Sequence, residues 1–311
     1  MKKISILVPC YNEEQVLPLL YKALCEIANQ LPRYEWEFLF IDDGSPDKTL
    51  DVLKQLRKRD QRCNYIELSR NFGKEAAMLA GFDYAIGDAV IIIDADMQDP
   101  PALIPQMVSK WEEGYEDVYA RRLSRGKESL IRRMLSKLYY RLLSHSTQID
   151  ILPNVGDFRL LDRQCIGALR TLREQGRYTK GMFCYIGFKK TEIVFDRNDR
   201  VGGESKMSYH SLFHLAIEGI LSFTTLPLRI ASIMGLIVSA IAFLYATWIL
   251  IKTLIWGDPV AGFPTLMVVI LFLGGIQLLA IGIMGEYMGR VYKEAKHRPV
   301  YFARSYNGKK Q

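Results

Sequence analysis

Short apolar runs separated by polar, helix-patterned stretches mark the chain from residue 1 to about residue 120. Ile4-Ser5-Ile6-Leu7-Val8, Glu37-Phe38-Leu39-Phe40-Ile41 and Ala89-Val90-Ile91-Ile92-Ile93 read as buried strands, with further strands near Tyr65 and Val118. Helices are expected to begin near Glu13, Pro46, Lys74 and Pro101, and Ser45-Pro46 reads as an N-cap with proline at the first helical position. This alternation predicts an α/β fold built on a doubly wound, mostly parallel sheet.

The pattern then changes. Leu130, Ile131, Met134, Leu135, Leu138, Leu142 and Leu143 recur at helical spacing, punctuated by Arg132, Arg133, Lys137 and Arg141. A basic amphipathic helix of this kind either packs on a core or lies on a membrane. A second amphipathic stretch, Tyr209 to Leu226, leads into two apolar runs, Ile230 to Ile251 and Phe263 to Gly285. Each exceeds the roughly 20 residues needed to cross a hydrocarbon core. Trp256-Gly257-Asp258-Pro259 leaves room only for a tight turn, so a transmembrane hairpin is predicted. Arg229 precedes it and Arg290, Lys293, Lys296 and Arg298 follow it, against Lys252 on the loop side, which puts both ends in the cytoplasm. Trp248 and Trp256 suit the outer interface. The expected organisation is a catalytic domain over 1–208, a juxtamembrane helix over 209–228, two membrane helices within 229–287 and a basic cytoplasmic tail over 288–311. From about Arg304 on the chain is polar and expected to be mobile.

Composition narrows the function classes. Nearly half of the 311 residues are hydrophobic and the net charge is +7, a balance that suits nucleic acid, a membrane surface or anionic substrates. No helix-turn-helix, zinc-finger or RNP pattern is present, and the basic residues lie beside apolar stretches, which disfavours nucleic acid. The five cysteines form no C-x-x-C pair, as in a reducing compartment. Pro9 and Asn12-Glu13-Glu14 cut the N-terminal apolar run short, so it reads as a strand rather than a signal peptide.

Candidate chemistry sits where the strands end. Asp94-Ala95-Asp96 closes one apolar run and Met97-Gln98-Asp99-Pro100-Pro101 follows; Pro9-Cys10-Tyr11-Asn12-Glu13 and Asp42-Asp43-Gly44-Ser45 close two others. Ligands of open α/β sheets bind at that edge. Carboxylates two residues apart suit a divalent cation that must also hold a diphosphate. Taken alone, Asp-x-Asp reads more readily as a solvated acidic turn; three carboxylate-bearing strand ends on one edge are harder to dismiss.

With these motifs the chain resembles the family 2 glycosyltransferases of the GT-A fold, and within them the polyprenyl-phosphate group: dolichol-phosphate mannose synthase and, more closely, the bacterial bactoprenol glucosyltransferases. The resemblance implies that Asp94, Asp96 and Gln98 hold Mg²⁺ or Mn²⁺, and that Pro9, Tyr11, Glu13, Asp42 and Asp43 line a nucleotide pocket with Asp94 and Lys74. Arg200 and Lys206, in Arg200-Val201-Gly202-Gly203-Glu204-Ser205-Lys206, match a mobile R-x-x-G-x-S-K loop that handles donor and acceptor phosphates. Arg121, Arg132 and Ser136 are assigned to a lipid phosphate, for which arginine offers a bidentate fork. Asp157 departs from the mannose synthases, which carry an apolar residue there. It orients the acceptor rather than removing a proton, because a phosphate monoester with a second pKa near 6 arrives largely ionised.

The expected reaction is inverting transfer of a hexose, glucose from UDP-glucose first among donors, to undecaprenyl phosphate at the cytoplasmic face of a bacterial inner membrane. Expected partners are the nucleotide sugar, the lipid, the membrane and further copies of this chain in a homo-oligomer such as a tetramer, with no nucleic acid. Rival readings keep the fold with another donor (a 4-amino-4-deoxyarabinose derivative, mannose or an N-acetylhexosamine), or make the chain a non-catalytic membrane adaptor. A processive synthase is disfavoured because no Gln-x-x-Arg-Trp motif is present.

Overall fold

A computed structural model of the chain describes residues 1–123, 155–195, 226–256 and 262–310. These fall into two units, Met1–Ala216 with Pro299–Gln311, and Ile217–Arg298.

The first unit is one nine-stranded sheet with helices. Its strands are β1 Lys3–Cys10, β2 Glu35–Asp42, β3 Cys63–Leu68, β4 Ala89–Ile92, β5 Asp117–Arg122, β6 Val155–Asp162, β7 Lys190–Phe195, β8 Ala303–Tyr306 and β9 Lys309–Lys310, in the spatial order β7-β5-β6-β4-β1-β2-β3-β8-β9. The central β3-β2-β1-β4 block is parallel throughout. Its apolar runs are buried on both faces, as the continuous hydrophobic pattern predicts. Connecting helices are α1 Leu17–Gln30, α2 Thr49–Arg59 and α3 Lys74–Tyr84; a 3₁₀ turn, Pro101–Leu103, leads into α4 Ile104–Glu112. Further on come α5 Arg163–Thr171 and α6 Thr179–Tyr185. Helix α3 lies so close to the sheet that a Cβ on Gly81 would stand 2.3 Å from Leu7 Cδ1.

Several expectations are corrected. Helices α1 and α2 begin at Leu17 and Thr49, past Glu13 and Pro46. Ser45 is no cap: its hydroxyl accepts the Asn12 N–H and its own N–H donates to Asp42, so Ser45-Pro46 belongs to the loop. Strand β6 lies antiparallel between β4 and β5, giving a mixed sheet at that end. The tail, expected to be mobile, returns to the sheet. Strand β8 pairs antiparallel with β3, and Asn307-Gly308, at φ 51° and 79°, turns the chain into β9. The Asn307 side chain accepts the Tyr65 N–H at 2.8 Å and donates to Asn64 at 2.8 Å. Enough donors and acceptors are satisfied there to order a polar segment.

The second unit holds α7 Leu226–Trp256 and α8 Phe263–Ala295, which pack on each other. Among the described residues one segment, Phe272–Ala295, is long and apolar enough to cross a membrane, and Ala231–Tyr245 is a shorter apolar stretch. Leu236, Phe243, Leu244, Trp248 and Leu278 are exposed on these helices. The Ser232 and Thr247 hydroxyls donate to the carbonyls of Leu228 and Phe243, four residues back, so their polarity is satisfied within the helix.

Candidate active site at the carboxyl ends of the parallel strands

The chain fills the sheet from β1 to β2 to β3, then crosses back to β4 on the other side of β1. Strand order thus reverses between β1 and β4, and the crevice at such a switch point is the ligand site of open α/β sheets. Pro9 and Tyr11 lie on one side of it and Asp94 and Asp96 on the other. The backbone turns sharply at both: Asn12 (φ 59°) follows β1 and Met97 (φ 58°) follows Asp96. Asparagine tolerates that conformation, whereas Met97 stores strain of about 1–3 kcal/mol, held by the fold around it.

Three loops are stitched together beneath the crevice. The N–H groups of Asn12 and Glu13 donate to the hydroxyls of Ser45 and Thr49. Asp43 accepts the N–H groups of Phe72 and Gly73, one on each carboxylate oxygen, at 2.7 and 2.8 Å. At Gly44 (φ 67°) a Cβ would lie 2.5 Å from the Arg70 carbonyl carbon, so glycine is required. Asp42 and Asp43 are both buried, and burial pushes both carboxyls up. Asp43, assigned from sequence to the nucleotide, thus also holds the β3–α3 loop.

Past β4, the Gln98 N–H donates to Asp96 Oδ1 at 3.1 Å, and Gln98 itself is buried. Asp99, also buried, pairs with Arg122 at 3.1 Å. The antiparallel ladder of β4 with β6 runs from Ala89 opposite Asp162 to Ile92 opposite Arg159; Asp94 lies two residues past its end on one strand and Asp157 two residues before it on the other. Between them stands Lys74, from the first turn of α3. Its Nζ lies 2.6 Å from Asp94 Oδ1, 2.9 Å from Asp94 Oδ2 and 2.6 Å from Asp157 Oδ2. Burial alone would raise the Asp157 carboxyl, but Lys74, Lys180 and Arg159 hold it at about 2. Arg159 itself is buried, paired with Asp117 at 3.0 Å and stacked 3.7 Å from the Phe183 ring.

The structure places Pro9, Tyr11, Glu13, Asp42, Asp43, Asp94, Asp96 and Gln98 at or just past the carboxyl ends of β1, β2 and β4, and brings the side chains of Lys74, Asp94 and Asp157 into direct contact. Arg121 instead spends its fork on Glu192, at 2.7 and 2.8 Å. Arg132, Ser136, Arg200, Lys206 and both amphipathic stretches lie outside the described residues. Sequence reasoning passed over Arg122, Asp99 and Glu75. Alternation along β5 carried the first signal: if Arg121 faces one side, Arg122 faces the other. Glu75 accepts the N–H and hydroxyl of Thr179, and burial, then the Asp157 charge, push its carboxyl up to about 7.

Hard oxygen donors at Asp94 and Asp96 fit a divalent cation. Among the described residues no group of three His, Cys, Asp or Glu could hold one on protein ligands alone.

Fold and site are those of an α/β enzyme working at the carboxyl edge of its sheet. The family described as glycosyl transferase family 2 matches residues 5–169, and the GtrB C-terminal hairpin matches 226–291. An uncharacterized glycosyltransferase of Synechocystis is 45% identical, over 96% of this chain and 94% of its own. The bactoprenol glucosyl transferase of Shigella phage SfV is 43% identical, over 97% and 98%. Among solved structures, glucosyl-3-phosphoglycerate synthase from Mycobacterium tuberculosis is similar with a TM-score of 0.46 at 17% identity, over 71% of this chain and 76% of that one. The chain belongs to glycosyl transferase family 2: it is a glycosyltransferase of the GT-A fold with a C-terminal hairpin.

Proposed function

We propose that the protein transfers a hexose, glucose from UDP-glucose in first place, with inversion to undecaprenyl phosphate at the cytoplasmic face of a bacterial inner membrane. The names of relatives at more than 40% identity along the whole chain favour that acceptor. The observation that carries the reading is the contact of Asp157 with Lys74, whose Nζ lies 2.6 Å from Asp157 Oδ2. A buried carboxylate held by an ammonium at that distance is pushed down in pKa and is a feeble base at neutral pH. A sugar hydroxyl acceptor needs a base; a lipid phosphate, already ionised, does not.

In the reaction a phosphate oxygen of the lipid bonds to C1 of the sugar as the bond from C1 to the diphosphate oxygen breaks, and the nucleoside diphosphate leaves on the opposite face. Pro9, Tyr11, Glu13, Asp42 and Asp43 line the nucleotide side. Asp94 and Asp96, with Gln98 beside them, would hold Mg²⁺ or Mn²⁺, whose charge offsets that of the departing diphosphate. Arg200 and Lys206 are assigned to the same phosphates from the sequence. Arg132, Ser136 and Arg121 are assigned to the lipid phosphate. Arg121 must leave Glu192 to serve, which costs little for a half-exposed pair, about 0–1 kcal/mol.

Chain connectivity supports two crossings with both termini on one side. The hairpin segment leaves the catalytic unit and the tail returns to it at β3, so the number of crossings between them is even. The test is transfer from a panel of radiolabelled nucleotide sugars to undecaprenyl phosphate in purified membranes. A lipid product from UDP-glucose is expected; a product from another donor alone overturns the glucose assignment, and no lipid product overturns the acceptor.

A further inference from the structure

Two carboxylates drawn to one point repel unless a cation stands between them. Asp94 and Asp157 are so placed, each 2.6 Å from the Nζ of Lys74. Its hold on the two differs. The Asp157 side chain is 10% exposed and that of Asp94 32%. Asp157 Oδ1 is moreover buried and accepts no hydrogen bond among the described residues. An ammonium anchored on the enclosed carboxylate can be given up by the open one, and both oxygens of that open one, Asp94, lie within 2.9 Å of Lys74 Nζ.

We propose that Lys74 is a built-in competitor for the divalent cation: with no donor bound it occupies Asp94, and it yields that carboxylate only when a diphosphate brings further ligands to the ion. The inference rests on the reading of Asp94 and Asp96 as the metal carboxylates. Asp157 then acts as a positioning residue, holding the displaced ammonium close to the diphosphate. The consequence is order: the cation binds weakly alone and strongly with nucleotide, which keeps Asp94 neutralised in the free enzyme.

Mn²⁺ binding to the full-length protein in detergent, followed by the loss of the free-ion EPR signal with and without UDP, tests this. Lys74→Met should tighten Mn²⁺ binding without UDP by at least about five-fold, since it removes a charge in direct contact with Asp94. It should also shrink the enhancement that UDP gives. Lys74→Arg keeps a competitor and should stay near wild type. Lys180→Met removes a charge that acts on Asp157 from α6. It should change Mn²⁺ affinity less than about two-fold, through a solvent-screened field. Unchanged or weakened Mn²⁺ binding in Lys74→Met overturns the proposal, as does an equal gain in Lys180→Met. Should Lys74→Met fail to fold with Asp157 unpaired, Lys74→Met/Asp157→Asn against Asp157→Asn makes the same comparison: a five-fold gain supports the competition, and no gain overturns it. Asp96→Asn marks the site: if Mn²⁺ binding with UDP survives it, the metal reading is what fails, and the competition falls with it.

Discussion

At the residue scale the site turns on carboxylates whose protonation is set by their neighbours. Glu75 sits above its ordinary value of 4.5, at about 7, through burial and then the charge of Asp157. A folded value above the unfolded one means that the folded chain keeps the proton to higher pH. The resulting stabilisation is full below about pH 4.5 and is lost as pH rises through about 7, at most about 3 kcal/mol. Glu75→Gln, which mimics the protonated form, should therefore raise Tm relative to wild type more at pH 8 than at pH 5. An equal shift at both pH values would show that Glu75 does not titrate in this range. Asp157 has the opposite sign: its contribution is full above 3.8 and lost as pH falls toward 2. Across neutral pH it stays ionised, so the acidic limb of the pH–rate profile should belong to the acceptor phosphate, near about 6. Asp157→Asn should slow transfer roughly ten-fold or more, because Lys74 loses its anchor, without moving that limb. A limb displaced by the substitution would make Asp157 the titrating group.

At the element scale, legibility followed burial. Strands β1, β2 and β4 were plain in the sequence because a central parallel strand is apolar on both faces, and the carboxylates that end them were plain because the apolar runs stop there. Strand β6 was not, because Asp157 and Arg159 are polar yet buried, each in an ion pair with a residue, Lys74 or Asp117, that is distant along the chain. Neither partnership can be read from hydropathy. The tail is a different kind of miss. Asn307-Gly308 is a strong two-residue hairpin signal. Its strands are only four and two residues long, and Ala303-Arg304-Ser305-Tyr306 carries no apolar run to announce it. Asn307→Ala removes two side-chain hydrogen bonds and puts a Cβ-bearing residue with no local hydrogen bond at φ 51°. A loss on the order of 2 kcal/mol is expected, roughly 4–8 °C in the Tm of the catalytic unit. Thermal unfolding of the detergent-solubilised protein checks it, and an unchanged Tm would return the tail to the mobile segment that its polarity suggested.

At the scale of the whole molecule, the returning tail changes how the hairpin can be removed. Cutting the chain after Leu226 deletes β8 and β9 along with the helices and strips β3 of its partner. A bare strand edge both destabilises the sheet and invites association with other chains. Replacing residues 226–298 with a flexible linker keeps Pro299–Gln311 and is the cleaner experiment. The linker protein should bind UDP with near-normal affinity, because every described residue that lines the switch-point crevice is retained. Its transfer to undecaprenyl phosphate in vesicles should fall by about 10²-fold or more, since the exposed apolar helices no longer hold the enzyme where the lipid is. Transfer to a short, water-soluble polyprenyl phosphate should fall by less than about ten-fold, because that acceptor reaches the site by diffusion in either protein. The simple truncation should be worse with both acceptors and should unfold at lower temperature than the linker protein. An equal loss with long and short acceptors in the linker protein would mean that the hairpin shapes the active site rather than delivering it to its substrate.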